Sequence, residues 1–191
     1  MNYHAGKIAV IFPGIGYNPD KPLLYYSAKI AMSHGYEVIK IGYPKCDVNL
    51  KEASSEQIRT FVDECVKITG RALKDAGVHE DCEMLFISKS IGTAVAAAYA
   101  VSEDLKVRNV FFTPLTDMFD YVTDGCGIAF NGTKDPWADH KRVCELCSRN
   151  NIPVVTKDDA NHSLETGNVR VDLDNIRDVM KTVEDYIANR I

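Results

Sequence analysis

The most informative segment of this chain is Phe86-Ile87-Ser88-Lys89-Ser90-Ile91-Gly92-Thr93-Ala94-Val95-Ala96. Its pattern predicts an apolar strand, a tight turn and a helix of small residues, with Ser90 at the apex of the turn. This is the layout of a nucleophile elbow, in which a strained turn holds a serine hydroxyl above the end of a parallel sheet. The apex residue takes an unfavourable backbone conformation, so large side chains two positions before and after it would collide across the turn. Ser88 and Gly92 are small enough to meet that requirement.

The composition is that of an ordinary globular protein. The chain has 191 residues, of which 46% are hydrophobic and 26% are charged, and its net charge is −5. A chain of this length can bury a substantial core, and we expect residues 1–191 to form a single domain. Nucleic acids and anionic membranes favour a basic face, and the sequence has no basic cluster. We therefore expect neither of them as a partner.

The N-terminal residues and the cysteines bear on where the protein is found. Residues 1–7 lack the charged start and long apolar core of a signal peptide, and no apolar run is long enough to span a membrane. The six cysteines are scattered through predicted helices, strands and loops, which indicates reduced thiols with packing roles. These features predict a cytoplasmic protein.

Strands and helices alternate along the chain. Strands are predicted at residues 7–12, 37–42, 84–87, 107–112, 127–130 and 152–156. Helices are predicted at residues 22–33, 54 to about 77, 91–101, 138–149 and 173–188. The second of these helices begins with capping-box chemistry at Ser54 and Gln57. Such alternation predicts an α/β fold, a doubly wound, mostly parallel sheet of about six strands with helices on both faces.

This fold class also predicts where a site would lie. In doubly wound sheets, ligands bind at the carboxyl ends of the strands, where the winding direction reverses. If the first strand lies between the second and the third, that crevice lies between the Pro13-Gly14 loop and the Ser90 turn. The segment 113–126, between the fourth and fifth strands, is too short for an inserted lid domain.

Two later residues can complete a catalytic triad with Ser90. A serine is a weak nucleophile unless a base accepts its proton and a third group orients that base. Asp135 lies in a turn just past the fifth predicted strand, and His162 lies in the loop after the sixth. The chain order Ser90, Asp135, His162 is the order expected for an elbow-type triad.

With these motifs, the chain resembles the α/β-hydrolase superfamily, in particular its small lidless members of the dienelactone-hydrolase-like kind. The resemblance extends from Lys7 to the last helix. It implies that Ser90 is the nucleophile, His162 the general base and then acid, and Asp135 the orienting carboxylate. It also implies an oxyanion hole made by the backbone N–H groups of Ile15 and Ile91.

The sequence departs from the family pattern at two positions. The usual His-Gly after the first core strand is Pro13-Gly14 here, and the first glycine of the elbow is Ser88. Neither change removes a catalytic group. Many dienelactone hydrolases proper use a cysteine nucleophile, so the resemblance does not extend to their specific substrate.

Other interpretations of these residues remain open at this point. Ser90 could be a helix cap, and Asp135 could be a turn former before Pro136. Asp117, after the fourth strand, is a rival for the triad acid, although its place in the chain favours it less than Asp135. Several large side chains in loops on the predicted active face could line a pocket for an acyl or aromatic substrate: Tyr17, Phe119, Tyr121, Trp137 and Leu164.

Patterns for cofactors and metals are weak. Gly14 and Gly16 are not followed by the third glycine of a dinucleotide-binding turn, and no phosphate-loop Gly-Lys-Ser/Thr follows them. His140, Cys144 and Cys147 share one helical face, but packing on the buried side of an amphipathic helix explains them better than a metal does. We expect no cofactor and no metal.

The sequence therefore predicts a serine hydrolase that cleaves a small carboxylic ester or thioester through an acyl-enzyme. An acyltransferase or a lyase on the same scaffold is the alternative among enzymes. A non-catalytic module that binds a ligand in the crevice is the alternative of a different class. Without a lid, the site should be open and shallow.

Overall fold

The computed structural model describes residues 6–44, 52–79 and 81–191, so Cys46 lies outside the described residues. The strands are β1 (Lys7–Phe12), β2 (Tyr36–Lys40), β3 (Glu83–Lys89), β4 (Arg108–Phe112), β5 (Gly127–Gly132) and β6 (Val154–Lys157). The helices are α1 (Pro22–Ser33), α2 (Ser55–Asp75), α3 (Ile91–Ser102), α4 (His140–Arg149) and α5 (Val169–Ile187), with a 3₁₀ helix at Thr116–Asp120.

The strands form one sheet in the order β2-β1-β3-β4-β5-β6, and each neighbouring pair is parallel. The predicted α/β class is confirmed, and β1 does lie between β2 and β3. The winding direction therefore reverses at β1 and β3. The carboxyl ends of these two strands carry the Pro13-Gly14 loop and the Ser90 turn, so the predicted crevice lies where the sequence placed it.

The helices cover both faces of the sheet, as predicted. Side chains alternate along β3: Phe86 packs in the apolar layer that includes residues of α2 and α3, whereas Leu85 and Ile87 pack in the layer that includes residues of α1 and α5. A strand that is buried on both faces needs apolar residues at every position. This requirement explains why the central strands are continuous apolar runs rather than alternating ones.

The capping box of α2 is confirmed. The Gln57 amide N–H donates to Ser54 Oγ over 3.2 Å, and the Ser54 amide N–H donates to the Gln57 side-chain oxygen over 2.9 Å. Two amide groups that have no partner inside the helix are thereby satisfied. The helix then buries Phe61, Val62 and Cys65 against the sheet.

Two helix starts differ from the sequence expectation because of capping side chains. Helix α5 begins at Val169 rather than at residue 173, because the Asn168 side chain accepts hydrogen bonds from the amides of Arg170 and Val171. Helix α4 begins at His140 rather than at residue 138, because Asp139 caps it through the Arg142 amide.

Two strands extend further toward the site than the sequence indicated. Strand β3 continues to Lys89 and β5 continues to Gly132, so both carry the chain directly to the crevice.

The segment 113–126 after β4 consists of turns, bends and the short 3₁₀ helix. Within the part of the chain that the structure describes, no helix is long and apolar enough to cross a bilayer.

Candidate active site

Ser90 occupies a strained turn between β3 and α3. Its backbone angles are φ 56° and ψ −126°, a conformation that costs a non-glycine residue on the order of 1–3 kcal/mol. Hydrogen bonds on both sides hold it there: its amide donates to the Phe112 carbonyl over 3.0 Å, and its carbonyl accepts from the Thr93 amide over 2.9 Å. The first bond extends the sheet and the second starts the helix, so the chain passes from one to the other at Ser90.

Two glycines let this turn sit against the end of β1. A Cβ at Gly92 would lie 2.4 Å from the Pro13 carbonyl oxygen and 2.5 Å from that of Phe12. A Cβ at Gly14 would lie 3.1 Å from the Ser90 Cβ. The need for a small residue at position 92 therefore comes from the backbone of the neighbouring strand, whereas the sequence argument attributed it to crowding across the turn itself.

The structure brings Ser90, His162 and Asp135 together. Ser90 Oγ lies 2.8 Å from His162 Nε2, and His162 Nδ1 lies 2.8 Å from Asp135 Oδ2. The Asp135 side chain is fully buried, and its other oxygen accepts the Trp137 amide N–H over 2.8 Å. An imidazole that donates from Nδ1 to the carboxylate has an unprotonated Nε2, which can accept the serine proton.

Three contacts that the sequence did not predict hold the His162 loop in place against the ends of β4 and β5. A Cβ at Gly132 would lie 2.2 Å from the Ala160 carbonyl oxygen, so the end of β5 passes directly against the loop that carries His162. The Lys134 amide donates to the same carbonyl over 3.0 Å. The buried Thr113 hydroxyl donates to the His162 carbonyl over 3.1 Å. A polar residue immediately after β4 was the available sequence signal for Thr113.

Asp117, the rival acid, lies in the 3₁₀ helix Thr116–Asp120. That helix packs against α3 and α4. Asp135 instead makes the 2.8 Å contact with His162 Nδ1. Of the two candidate acids, Asp135 is therefore the one within hydrogen-bond distance of the imidazole.

Ile15 and Ile91 lie at the two chain turns beside Ser90. Ile15 is in a tight turn closed by reciprocal backbone hydrogen bonds between Gly14 and Tyr17, of 3.1 and 3.2 Å. Ile91 is the first residue of α3, where an amide has no acceptor within the helix. Among the turn, loop and cap hydrogen bonds of the described residues, neither amide N–H is a donor.

An open cavity of about 410 Å³ lies in front of Ser90. It is lined by Ile15, Gly16, Tyr17, Lys21, Lys89, Ser90, Pro136, Trp137, Asn161, His162 and Ser163. Tyr17 and Trp137 are thus lining residues, as expected. The indole ring of Trp137 lies beside the His162 imidazole, with ring centres 5.5 Å apart and planes tilted by 30°.

Leu164 does not line this cavity, in contrast to the sequence expectation. Its side chain is buried in the apolar layer that includes residues of α1 and α5. Its backbone is in the left-handed region, with φ 61°, two residues after His162. Phe119 and Tyr121 pack against the opposite apolar layer.

Two lysines in the cavity wall were missed by the sequence analysis. Lys89, the residue between the two serines of the elbow, is only 1% exposed although it borders the cavity. Burial lowers its pKa to about 7, with the nearby Asp135 carboxylate opposing the shift and Lys21 adding to it. Lys21 lies just before α1. The available signal for Lys89 was a charged residue between two serines at the end of an apolar strand.

The residues His140, Cys144 and Cys147 have packing contacts. His140 Nδ1 lies 3.2 Å from the Asn131 side-chain nitrogen, and the Cys144 sulfur lies 3.7 Å from His140 Nε2. Cys147 is fully buried, and burial raises the pKa of its thiol to about 12. These contacts fit the packing interpretation of this helical face.

No protein-family model and no curated protein sequence matches this chain. Solved structures do resemble it. A serine hydrolase without a lid from Xanthomonas campestris superposes with a TM-score of 0.69 at 13% identity, over 96% of this chain and 81% of that one. Est1E from Butyrivibrio proteoclasticus, solved with ferulic acid bound, gives 0.67 at 10% identity, over 96% and 88%.

A sugar hydrolase from Lactococcus lactis gives a TM-score of 0.64 at 15% identity, over 100% of this chain and 91% of that one. At such low identities, the likeness concerns the fold. The sheet order, the turn at Ser90 and these superpositions agree on one architecture. The chain has the α/β-hydrolase fold.

Proposed function

We propose that this protein is a serine hydrolase that cleaves a small carboxylic ester or thioester through an acyl-enzyme. Ser90 is the nucleophile, His162 is the general base and then the general acid, and Asp135 orients the imidazole. The observation that carries the proposal is the hydrogen-bonded chain from Ser90 Oγ through His162 to Asp135, with both contacts at 2.8 Å.

The proposed reaction has two halves. Ser90 Oγ attacks the carbonyl carbon while His162 Nε2 takes the serine proton. When the tetrahedral intermediate collapses, the same proton passes to the leaving alcohol or thiol. Water then attacks the acyl-enzyme by the reverse sequence and releases the acid. Buried Asp135 stabilises the imidazolium that forms in each half.

Ile15 and Ile91 are the proposed oxyanion donors. Ile15 lines the cavity in front of Ser90, and Ile91 directly follows Ser90 in the chain. Neither amide is used in the turn and cap hydrogen bonds that the structure describes. Ile91 also begins α3, where the helix dipole favours negative charge. Each such donor typically supplies about 3–4 kcal/mol of transition-state stabilisation.

Fluorophosphonate labelling followed by peptide mass spectrometry tests the proposal. These probes react with activated serines, so we expect the wild type to be labelled at Ser90 and the Ser90→Ala variant not to be labelled. Ser102→Ala is the matched control, because Ser102 is exposed at the opposite end of α3. It should be labelled as fully as the wild type.

The possible results separate the alternatives. Labelling confined to Ser90, followed by release of a carboxylic acid from esters or thioesters, supports the hydrolase. Labelling with transfer of the acyl group to an added alcohol or amine identifies an acyltransferase. A folded wild type that is not labelled contradicts the proposal and favours a module that only binds a ligand in the cavity.

A further inference from the structure

Lys89 has an unusual position for a charged side chain. It is the last residue of β3, directly before Ser90, and it is only 1% exposed although it borders the cavity. Its ammonium lies 5.1 Å from the ring centre of Tyr17, which also lines the cavity. A lysine is thus held almost wholly inside the protein, beside the proposed nucleophile.

Within the described residues, the Lys89 ammonium has neither an ion pair nor a hydrogen bond. Buried charges are usually paired, because an unpaired one forfeits its hydration. The carboxylate with a resolved electrostatic effect on Lys89 is that of Asp135. Both oxygens of Asp135 are already engaged, by the His162 ring and by the Trp137 amide.

A second lysine, Lys21, also lines the cavity, although it is exposed. Its ammonium lies 5.2 Å from the same Tyr17 ring, and it has no ion pair among the described residues. The neighbouring carboxylate of Asp20 is held by Lys40 at 2.8 Å. Two ammonium groups therefore share one aromatic ring, which attracts cations but does not neutralise them.

The cavity is positive on a chain that is negative overall. As far as the described residues go, its lining contains two lysines and no carboxylate, whereas the whole chain has a net charge of −5. The amino end of α3 adds a partial positive charge at the same place. A pocket lined by charge of one sign concentrates ligands of the opposite sign.

We propose that Lys89, together with Lys21, binds an anionic group of the substrate, so that the enzyme selects small esters or thioesters that carry a second, negatively charged group such as a carboxylate. This inference rests on the proposed hydrolase function, whose site it shares. A bound anion supplies the partner that the Lys89 ammonium lacks among the described residues. Lys89 is thus a specificity-determining residue, while Ser90, His162 and Asp135 perform the chemistry.

Two matched pairs of esters test the inference. In the first pair the charge is on the acyl side: mono-4-nitrophenyl glutarate against 4-nitrophenyl pentanoate. In the second it is on the leaving group: 4-acetoxybenzoate against phenyl acetate. We expect the wild type to show a kcat/KM about tenfold or more higher for the charged member of at least one pair, as expected for a charge-assisted contact. The pair that shows the preference identifies the side on which the anion binds.

Variants assign the preference to the lysines. Lys89→Met keeps an unbranched side chain of similar length and removes the charge. We expect it to lower the charged-to-neutral ratio of kcat/KM about tenfold, mainly through the KM of the charged ester. Lys21→Met should lower the ratio by a smaller factor, because Lys21 is exposed. Lys29→Met, an exposed lysine of α1, is the control and should leave the ratio unchanged.

Binding to Ser90→Ala separates this inference from the proposed function. By NMR titration, Ser90→Ala should bind monomethyl glutarate more tightly than methyl pentanoate, and a second substitution, Lys89→Met, should remove the difference. Anion-dependent binding by a protein that turns over no ester would support the inference while the hydrolase proposal fails. Equal turnover of charged and neutral esters, together with equal binding, would overturn the inference while the hydrolase proposal holds.

Discussion

The two walls of the cavity differ in how their charged and polar groups are satisfied. On the catalytic wall, Ser90, His162 and Asp135 are joined in one hydrogen-bonded chain, and the Trp137 amide completes it. On the cationic wall, formed by Lys21 and Lys89 around Tyr17, the lysines contact a ring and have no ion pair among the described residues. In the functions proposed for them, the hydrogen-bonded chain moves a proton and the lysines without an ion pair bind an anionic ligand.

The largest effect is expected from the catalytic wall. Ser90→Ala should lower kcat for ester hydrolysis on the order of 10⁴-fold or more, because the nucleophile is lost while binding is retained. The far-UV circular dichroism and the unfolding midpoint should stay close to those of the wild type. Turnover by a folded Ser90→Ala variant at the wild-type rate would refute the role of this residue.

Asp135→Asn should lower kcat roughly 10³- to 10⁴-fold, because an amide can hold His162 in the wrong tautomer. Asp117→Asn is the matched control, since it makes the same change at the rival acid. Steady-state kinetics of both variants on one ester measure the contrast. A large loss in Asp117→Asn with activity retained in Asp135→Asn would transfer the acid role to Asp117.

On the cationic wall, removing the Lys89 charge should increase the stability of the protein while it weakens the preference for charged esters. The pKa of Lys89 is lowered from 10.5 to about 7 by burial, with Asp135 opposing and Lys21 reinforcing the shift. Between these two values the unfolded chain holds a proton that the folded chain has lost, so stability rises with pH over this window and is lost as pH falls. Lys89→Met should therefore raise the free energy of unfolding by roughly 2–4 kcal/mol at pH 6, and by less at pH 10.

Urea unfolding at pH 6 and pH 10 measures this difference. The groups that face Lys89 are Asp135, Lys21 and the Tyr17 ring, and burial raises the pKa of Tyr17 to about 12. Tyr17 therefore stays neutral over most of the window. Lys29→Met should show little change at either pH, because Lys29 is exposed. A Lys89→Met variant less stable than the wild type at pH 6 would contradict the unpaired-charge account.

The smallest effect is expected at Gly92, where the start of α3 packs against the end of β1. Gly92→Ala should lower the free energy of unfolding by about 1–3 kcal/mol, because the new Cβ would press on the backbone of Phe12 and Pro13. Gly70→Ala is the matched control inside α2, where a Cβ would meet the Tyr99 ring at an ordinary 3.6 Å. It should raise stability by about 0.5–1 kcal/mol through helix propensity. Thermal unfolding of both variants checks the opposite signs.

Much of the catalytic wall could be predicted from sequence because its signals are local. Ser90 lies between an apolar run and a helix of small residues, and Asp135 and His162 each follow a strand. Parallel strands end at the same edge of a sheet, so residues just past them are brought close together. The fold class followed from the same alternation, since it depends on hydrophobic periodicity.

The cationic wall could not be predicted in this way, because the decisive facts are not local. Whether Lys89 is solvated or buried depends on Tyr17 and on the turn after β1, which are distant in sequence. Leu164 was expected beside the substrate, but its side chain packs in the core with residues of α1 and α5. The close approach of Gly132 to Ala160 likewise depends on two loops meeting.

The sequence by itself determined the order of strands and helices, the turn at Ser90 and the three residues of the candidate triad. Hydrophobic periodicity and chain order can be observed directly in the sequence. The tertiary structure decided which of the neighbouring side chains face the cavity and which charges lack a partner. The physical reason is that burial and pairing depend on atoms brought together from distant parts of the chain. Lys89 shows the difference most clearly, since its neighbours in sequence are serines and its neighbours in space include Tyr17 and the cavity.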